Sequence, residues 1–433
     1  FYTMISGTSM ATAHVAGIIT LMLEANPNLD NASIKRILQE TATNMPGYER
    51  WEVGSGYVNA RSAVAAALLH DDDHKKTVNN LEGKKFRANA LITPSERVEN
   101  FDVFYSPVGA PEIIEFEVGE DESVVKASAS TLANLTKLVL VAPDGTEYRG
   151  NLTTPVLGTT MRVAAPASPG TWGIYVYGLT SLSGVEADPL GLTNGPGLPE
   201  VFDVTVTFEE SGGFEGLNDV PGHPQENAIA KAISERLMDG STRGNFYPDF
   251  RLTRQAFAQY AVMGGAVRQY RDLLNDEQPS FSGISDFQAP YLESVMVDGG
   301  ALKDITRVQG PILLDKDGTA DARGSMTNLD MAYALVQMLG QESVANNFDP
   351  ETDRIMVEFQ GETVELADQD SIPAELRGHV QAALTFSLMN VSFEIENRLF
   401  QEPKVIATFN PDDVVTRAHY AVLAGRMFEQ YYQ

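Results

Sequence analysis

The chain has 433 residues, no cysteine and a formal net charge of −28 at pH 7, from 31 Lys and Arg against 59 Asp and Glu. The missing thiols exclude disulfides, thiolate metal sites and a Cys nucleophile. The charge balance argues against nucleic-acid binding, which draws on basic groups that neutralise phosphates, and against electrostatic docking on an anionic leaflet. At ~100–200 residues per domain the length predicts two to four domains, and a hydrophobic content of 43% is that of a globular protein. No apolar run approaches the ~20 residues of a membrane span; the longest, Val15 to Leu23, is broken by Gly17 and Thr20.

Residues 1–69 are expected to be helix-rich. Ser6-Gly7-Thr8-Ser9 opens an apolar segment from Met10 to Ala25, stopped by Asn26-Pro27-Asn28 because Pro cannot continue a helix. Asp30 is placed to cap a second helix carrying Ile34, Ile37 and Leu38 at helical spacing. A Gly-rich hairpin-like piece at Gly54-Ser55-Gly56 precedes a third helix from about Arg61 to Leu69. Residues 70–84 form a charged linker around Asp71-Asp72-Asp73-His74-Lys75-Lys76. It reads as a solvated spacer; a calcium loop is the minor alternative, since the alternating oxygen-ligand spacing is lacking. The six histidines, His14, His70, His74, His223, His379 and His419, show no pair at metal-ligand spacing, so no metal site is assigned.

Residues 85–210 change character. Ile113–Val118, Lys137–Val141, Thr171–Tyr177 and Phe202–Phe208 are β-rich, and Pro143-Asp144-Gly145-Thr146 and Ser168-Pro169-Gly170 are turn signals between them. This pattern predicts an antiparallel β-sandwich, with Trp172 in its core and a Gly/Pro-rich loop over 181–200. Residues 211–433 return to helices and hold an internal repeat. Phe246-Tyr247-Pro248-Asp249 precedes Thr253-Arg254, and Phe409-Asn410-Pro411-Asp412 precedes Thr416-Arg417, each with seven residues from Phe to Thr. Each follows a predicted helix ending in Leu-Met, at Leu237-Met238 and Leu388-Met389. A degraded middle copy is read at Met326-Thr327-Asn328-Leu329-Asp330, where Asn328 takes the place of the Arg. Three units are expected, at about 217–275, 280–345 and 370–433.

The stretch that carries chemistry is Gly7-Thr8-Ser9-Met10-Ala11 followed by His14-Val15-Ala16-Gly17. A serine at the start of a helix sits beside unpaired backbone N–H groups and the positive dipole end, where an oxyanion formed on Oγ attack would be stabilised. Gly7 allows close backbone approach to a substrate, and Ala11, Ala13, Ala16 and Gly17 would let the helix pack tightly into a core. An isolated Gly-x-Ser would read as a plain N-cap. The longer string resembles the active-site serine segment of subtilisin-like serine peptidases, with Ala13 where that family usually has Pro. The likeness continues through Asn26-Pro27-Asn28-Leu29 and Gly54-Ser55-Gly56-Tyr57-Val58-Asn59-Ala60, covering residues 1–69.

The resemblance implies that Ser9 is the nucleophile of an acyl-enzyme mechanism, with Gly7 and Thr8 in the substrate and oxyanion vicinity. The general-base His and the orienting Asp lie upstream in that family, so the 433-residue stretch alone is expected to be inactive; His14 matches a structural histidine. Residue 1 is Phe, and the sequence reads as lacking its natural start. No cofactor is required for this chemistry, and the resemblance allows a structural Ca2+ without assigning its ligands.

The 85–210 segment resembles the β domains appended to secreted peptidases. Residues 211–433 resemble S-layer homology repeats through Asn218-Asp219-Val220, Gly240, Gly244, Phe246, Pro248, Asp249, Thr253 and Arg254, although an aromatic usual in the first helix is missing near His223-Pro224. That likeness implies Arg254 and Arg417 as contacts to an anionic cell-wall polysaccharide, since a guanidinium can fork onto a carboxylate; pairing with nearby carboxylates is the structural alternative. The expected fold is thus a multidomain α+β chain: a C-terminal remnant of an α/β subtilisin-like domain (1–69), a linker (70–84), a β-sandwich (85–210) and helical repeats (211–433). The expected function is that of a secreted, surface-anchored serine endopeptidase of a bacterium acting on protein or peptide substrates. The alternative is a non-catalytic cell-wall protein with a relic peptidase segment.

Overall fold

The computed structural model describes residues 7–42, 45, 53–69, 87–131, 134–151, 159–178, 198–268, 284, 288–304, 308–314, 321–359, 362–396 and 404–432. The 70–84 linker and most of the 181–200 loop lie outside the described residues. Backbone proximity groups the chain into two compact units, residues 1–85 with 253–324, and residues 86–252 with 325–433.

In the first unit, α1 (Thr8–Ala25), α2 (Asn31–Glu40) and α3 (Ala60–Leu69) pack around Ile18, Met22, Ile34, Ile37, Ala63 and Ala67. Asn26 ends α1 and donates its side-chain amide to the Ala67 carbonyl at 3.1 Å. Asp30 caps α2, its carboxylate accepting from the Ser33 amide at 2.8 Å. The same unit holds α4 (Arg254–Met263), packed against α5 (Ala289–Met296). The buried Arg268 gathers the loop after α5 by donating to the carbonyls of Gly299, Ala301, Leu302 and Asp304.

The tight packing expected of α1 is not found among the described residues. Ala11, Ala13, Ala16 and Gly17 are exposed, and a Cβ on Gly17 would meet nothing within 4 Å. Ile18 and Met22 are the buried members of this helix, while Met10, Leu21 and Leu23 stand in the open. The helix covers the segment read from Met10 to Ala25 and begins two residues earlier, at Thr8. Its 18 residues are long and apolar enough to cross a membrane by length and composition.

The second unit is built on two four-stranded antiparallel sheets. One has the order β1 (Asn89–Tyr105), β8 (Glu200–Glu215), β3 (Glu122–Ser130), β6 (Thr160–Pro166); the other has the order β2 (Ile114–Val118), β7 (Gly170–Gly178), β4 (Thr136–Val141), β5 (Glu147–Arg149). A single apolar cluster draws on both sheets: Val103 and Phe208 with Val125 and Val163 from one, Leu138, Leu140, Trp172 and Ile174 from the other. Trp172 is fully buried and its indole donates to the Ser168 carbonyl at 2.8 Å. The Pro143–Thr146 turn closes β4 onto β5, with Gly145 at φ 83°, a value that favours glycine.

Leu138-Val139-Leu140-Val141 and Ile174-Tyr175-Val176-Tyr177 are unbroken apolar runs rather than alternating ones. Such runs arise where a strand is buried on both faces. Leu138, Leu140, Ile174 and Val176 enter the shared core, while Val139, Tyr175 and Tyr177 form a second cluster on the opposite face.

The rest of this unit comprises α6 (Glu226–Ser234), α7 (Asn328–Met338), the short α8 (Glu342–Ala345), α9 (Ala374–Thr385) and α10 (Arg417–Met427), with a π turn over Phe428–Tyr432. Two hairpins, β9 (Met356–Phe359) with β10 (Glu362–Glu365) and β11 (Ser392–Glu396) with β12 (Lys404–Thr408), interrupt what reads from the sequence as a region of helical repeats. The Leu-Met pairs sit just beyond the helices rather than at their ends. Arg236 and Ser387 precede them at φ 58° and 56° and turn the chain out of α6 and α9.

Candidate functional site: a helix-borne serine and three repeated turns

Ser9 occupies the first turn of α1 and is exposed. Gly7 is the N-cap, and its carbonyl takes the amides of Met10 at 3.0 Å and Ala11 at 3.2 Å. The N–H groups of a first helical turn have no partner within the helix and point at what lies beyond its end. A nucleophilic oxygen there has oriented donors beside it for an oxyanion. Thr12 donates its hydroxyl to the Thr8 carbonyl at 2.8 Å, and His14 Nδ1 lies 3.0 Å from the Met10 carbonyl. That contact makes Nδ1 the protonated nitrogen and commits it to the helix backbone rather than to Ser9. Gly7, Thr8 and Ser9 therefore share one helix start. A groove of about 480 Å3 on the same unit, lined by Val15, Ile19, Ile34, Leu38 and Val58 among others, does not include them.

The second set of candidate residues opens the helices that follow each repeated turn. Thr253, Thr327 and Thr416 are N-caps whose hydroxyls accept from the amides of Ala256 at 3.3 Å, Asp330 at 3.2 Å and His419 at 3.1 Å. In the middle copy Asp330 returns a bond to the Thr327 amide and completes a capping box. The residue after each Thr reaches into a different turn. Arg254 donates its guanidinium to the Leu314 carbonyl and its amide to Gly324. Asn328 donates its side-chain amide to Phe409 and Asn410, at 3.1 and 3.0 Å, and its backbone amide to Asp413. Arg417 donates its guanidinium to Phe246 at 2.6 Å and Asp239 at 3.1 Å, and its amide to Phe250. Its guanidinium also lies 4.7 Å from the centre of the Phe246 ring.

In the second unit the turns are joined by a ring of backbone bonds, from Leu252 N to Val415 O, Val415 N to Met326 O and Met326 N to Leu252 O. Both candidate arginines thus serve backbone carbonyls, and Arg254 is 8% exposed.

Two carboxylates that sequence reasoning did not single out as site residues hold the outer turns, and a third, Asp239, holds the chain beside them. Asp219 accepts from the amides of Phe246 and Tyr247 at 2.7 Å each. Asp368 does the same for Phe409 and Asn410. Asp239 accepts from Arg87, Ala88 and Gly240. The clamp fixes Tyr247 and Asn410 at φ 58° and 53°. The signal for Asp368 was masked by spacing: it lies 41 residues before its Phe, against 27 for Asp219, because the β11–β12 hairpin is inserted between. The described residues contain no group of three or more His, Asp or Glu placed to hold a metal.

Residues 1–77 match the model of the subtilase family, and residues 216–258 match the S-layer homology domain. The segment that carries Ser9 is subtilase-like. Over 63 residues it is 45% identical to alkaline elastase YaB of Bacillus sp. (strain YaB), and 44% identical to subtilisin Savinase of Lederbergia lenta. These matches take 14% of this chain and 16% and 23% of those proteins. Subtilisin-like protease SBT1.9 of Arabidopsis thaliana is 28% identical over 137 residues, 31% of this chain and 18% of that protein. The chain thus spans less than a quarter of the length of these relatives. A solved serine protease of Aeromonas sobria is similar over 48% of this chain and 44% of its own, at 14% identity and a TM-score of 0.19, a level that carries no argument about fold. The S-layer homology match contains Asp219, the first repeated turn and the Thr253-Arg254 pair.

Proposed function

We propose that this chain is part of a longer, secreted, surface-anchored serine endopeptidase in which Ser9 is the nucleophile and Gly7 and Thr8 flank the bound peptide. The observation that carries the reading is the exposed serine at the amino end of α1 within the stretch that matches the subtilases. The apolar face of α1, bearing Met10, Leu21 and Leu23 in the open, fits a core helix whose packing partners lie in further chain of the same catalytic domain. Ser9 Oγ would add to the scissile carbonyl, passing its proton to an imidazole that then hands it to the leaving amine. The helix N–H groups would stabilise the oxyanion. His14 does not serve as that imidazole. An upstream His oriented by an Asp would complete the site.

The sheets of residues 85–210 read as an accessory β-sandwich, and residues 211–433 as three S-layer homology units that hold the protein on an anionic cell-wall polymer of a bacterium. Arg254 and Arg417 are the proposed polymer contacts. Structural calcium is compatible with this reading and is not needed for the chemistry.

A fluorophosphonate probe tests the reading. The 433-residue chain alone should give no labelled Ser9. The longer gene product should be labelled at Ser9 and lose that label in Ser9→Ala. A non-catalytic wall protein would give no label in either form.

A further inference from the structure

We infer that the two four-stranded sheets and the helices packed on them, α6, α9 and α10, open and close as one cooperative body, coupled through a buried joint of charged residues centred on Lys231 and Glu429. Both outer sheet faces meet helical residues. On one sheet, Val124, Ala164 and Pro166 face Ala228, Ala421 and Val422 around a small cavity of about 30 Å3. There Lys231 of α6 contacts Glu429 at 2.6 Å, Glu209 of β8 at 3.1 Å and Glu235 at 2.8 Å. Lys126 of β3 reaches Glu209 at 2.6 Å and Glu429 at 3.7 Å. Glu209, Lys231 and Glu429 are 5–6% exposed, so each needs the others to keep its charge out of water.

On the other sheet, Lys137 of β4 is 4% exposed and donates to the Thr385 carbonyl and, at 3.0 Å, to the Ser387 hydroxyl, closing the carboxyl end of α9. Arg149 of β5 pairs with Glu358 at 2.8 Å, Tyr177 of β7 donates to the same carboxylate, and Gln430 donates to the Arg149 carbonyl at 2.7 Å. Opening the helices alone would take Lys231 from Glu209 and the α9 end from Lys137 and expose Val139, Tyr175 and Tyr177. Opening the sheets alone would take Glu209 from Lys231 and Lys126 from Glu429. A free-standing sandwich on a flexible tether would carry polar groups on those faces. If the repeats act as an anchor, a reading this coupling does not need, the sheets are a stiff part of it.

Native-state hydrogen exchange on the full 433-residue chain across a urea series tests the inference. The slowest amides of 170–178 and 374–385 should share one opening free energy and one urea dependence. Glu429→Gln should lower protection in both by the same factor, tenfold or more. Lys126→Met, at the more exposed rim, should do so by a smaller common factor and serves if Glu429→Gln does not fold. Loss of protection in the helix with the sheet unchanged, or no change in either, would overturn it. Neither result bears on wall binding, which is read separately with purified cell walls.

Discussion

Asn410 shows how a single residue carries a turn. Its φ of 53° lies where most side chains clash with their own backbone, at a cost of ~1–2 kcal/mol that Asn partly escapes. The Asp368 clamp on its amide and the Asn328 bond to its carbonyl hold it there. Asn410→Ala should lower the stability of the second unit by about 1 kcal/mol, whereas Asn410→Gly should be close to neutral; urea unfolding of the two variants checks this. Arg417 is tied into the opposite end of the same exchange through Phe246 and Asp239. A role in polymer binding must therefore be separated from a role in the turn. Arg417→Lys and Arg254→Lys should keep the helical signal yet weaken binding to purified cell walls at least tenfold, because lysine offers a point charge where a planar fork is needed. Undiminished binding in the double variant would reject the arginine assignment.

At the scale of elements, the sequence made some features plain and hid others. The helix start at Asp30 and the Pro-Asp-Gly turn were legible because each is local chemistry, whereas the capping by Thr253 and Thr416 came with the structure. β2, β4, β7 and part of β8 were legible from β-branched and aromatic runs. β3, Glu122–Ser130, was not, since Lys126, Ala127 and Ser128 have little strand propensity and its burial comes from neighbouring strands. β1 and the two late hairpins were likewise set by pairing partners distant in sequence. The exposure of Ala11, Ala16 and Gly17 was also unreadable, because small residues signal close packing without saying which chain supplies it. In the site, Ser9 and the Thr-Arg pairs stood out by motif, whereas the Asp368 clamp was concealed by an insertion.

Lys137 offers a prediction at this scale. Burial, helped by nearby Arg149 and opposed by Glu358, pulls its pKa from 10.5 to about 7. The unfolded chain therefore holds more protons than the folded one between those values, and this residue makes stability rise with pH across that window and level off below it. Lys137→Met should flatten the rise between pH 7 and 10.5, a change of a few kcal/mol at most at ~1.4 kcal/mol per pH unit, read from unfolding midpoints against pH.

For the whole molecule, the charge of −28 favours solubility and works against compactness through self-repulsion. The buried joint counters this locally. Burial alone would push the Glu209 carboxyl up, but Lys231 and Lys126 overcome it and hold the carboxyl below its ordinary range. Burial would likewise pull Lys231 down, but Glu429, Glu209 and Glu235 raise it above the usual lysine value. The Glu209 contribution is thus present above the ordinary carboxylate range and lost as pH falls through its lowered value. The Lys231 contribution is present below the ordinary lysine value and lost as pH rises beyond it. Together they make the joint strongest from mildly acidic to mildly alkaline pH.

Residues 1–77 match the subtilase family and residues 216–258 match the S-layer homology domain. The proposal that joins them rests on one hydroxyl. Peptide mapping of the longer gene product after fluorophosphonate treatment measures it most directly. A covalent adduct on Ser9, absent from the Ser9→Ala protein and from the isolated 433-residue chain, is the predicted result. A folded longer protein that hydrolyses no peptide substrate and carries no adduct on Ser9 would contradict the account.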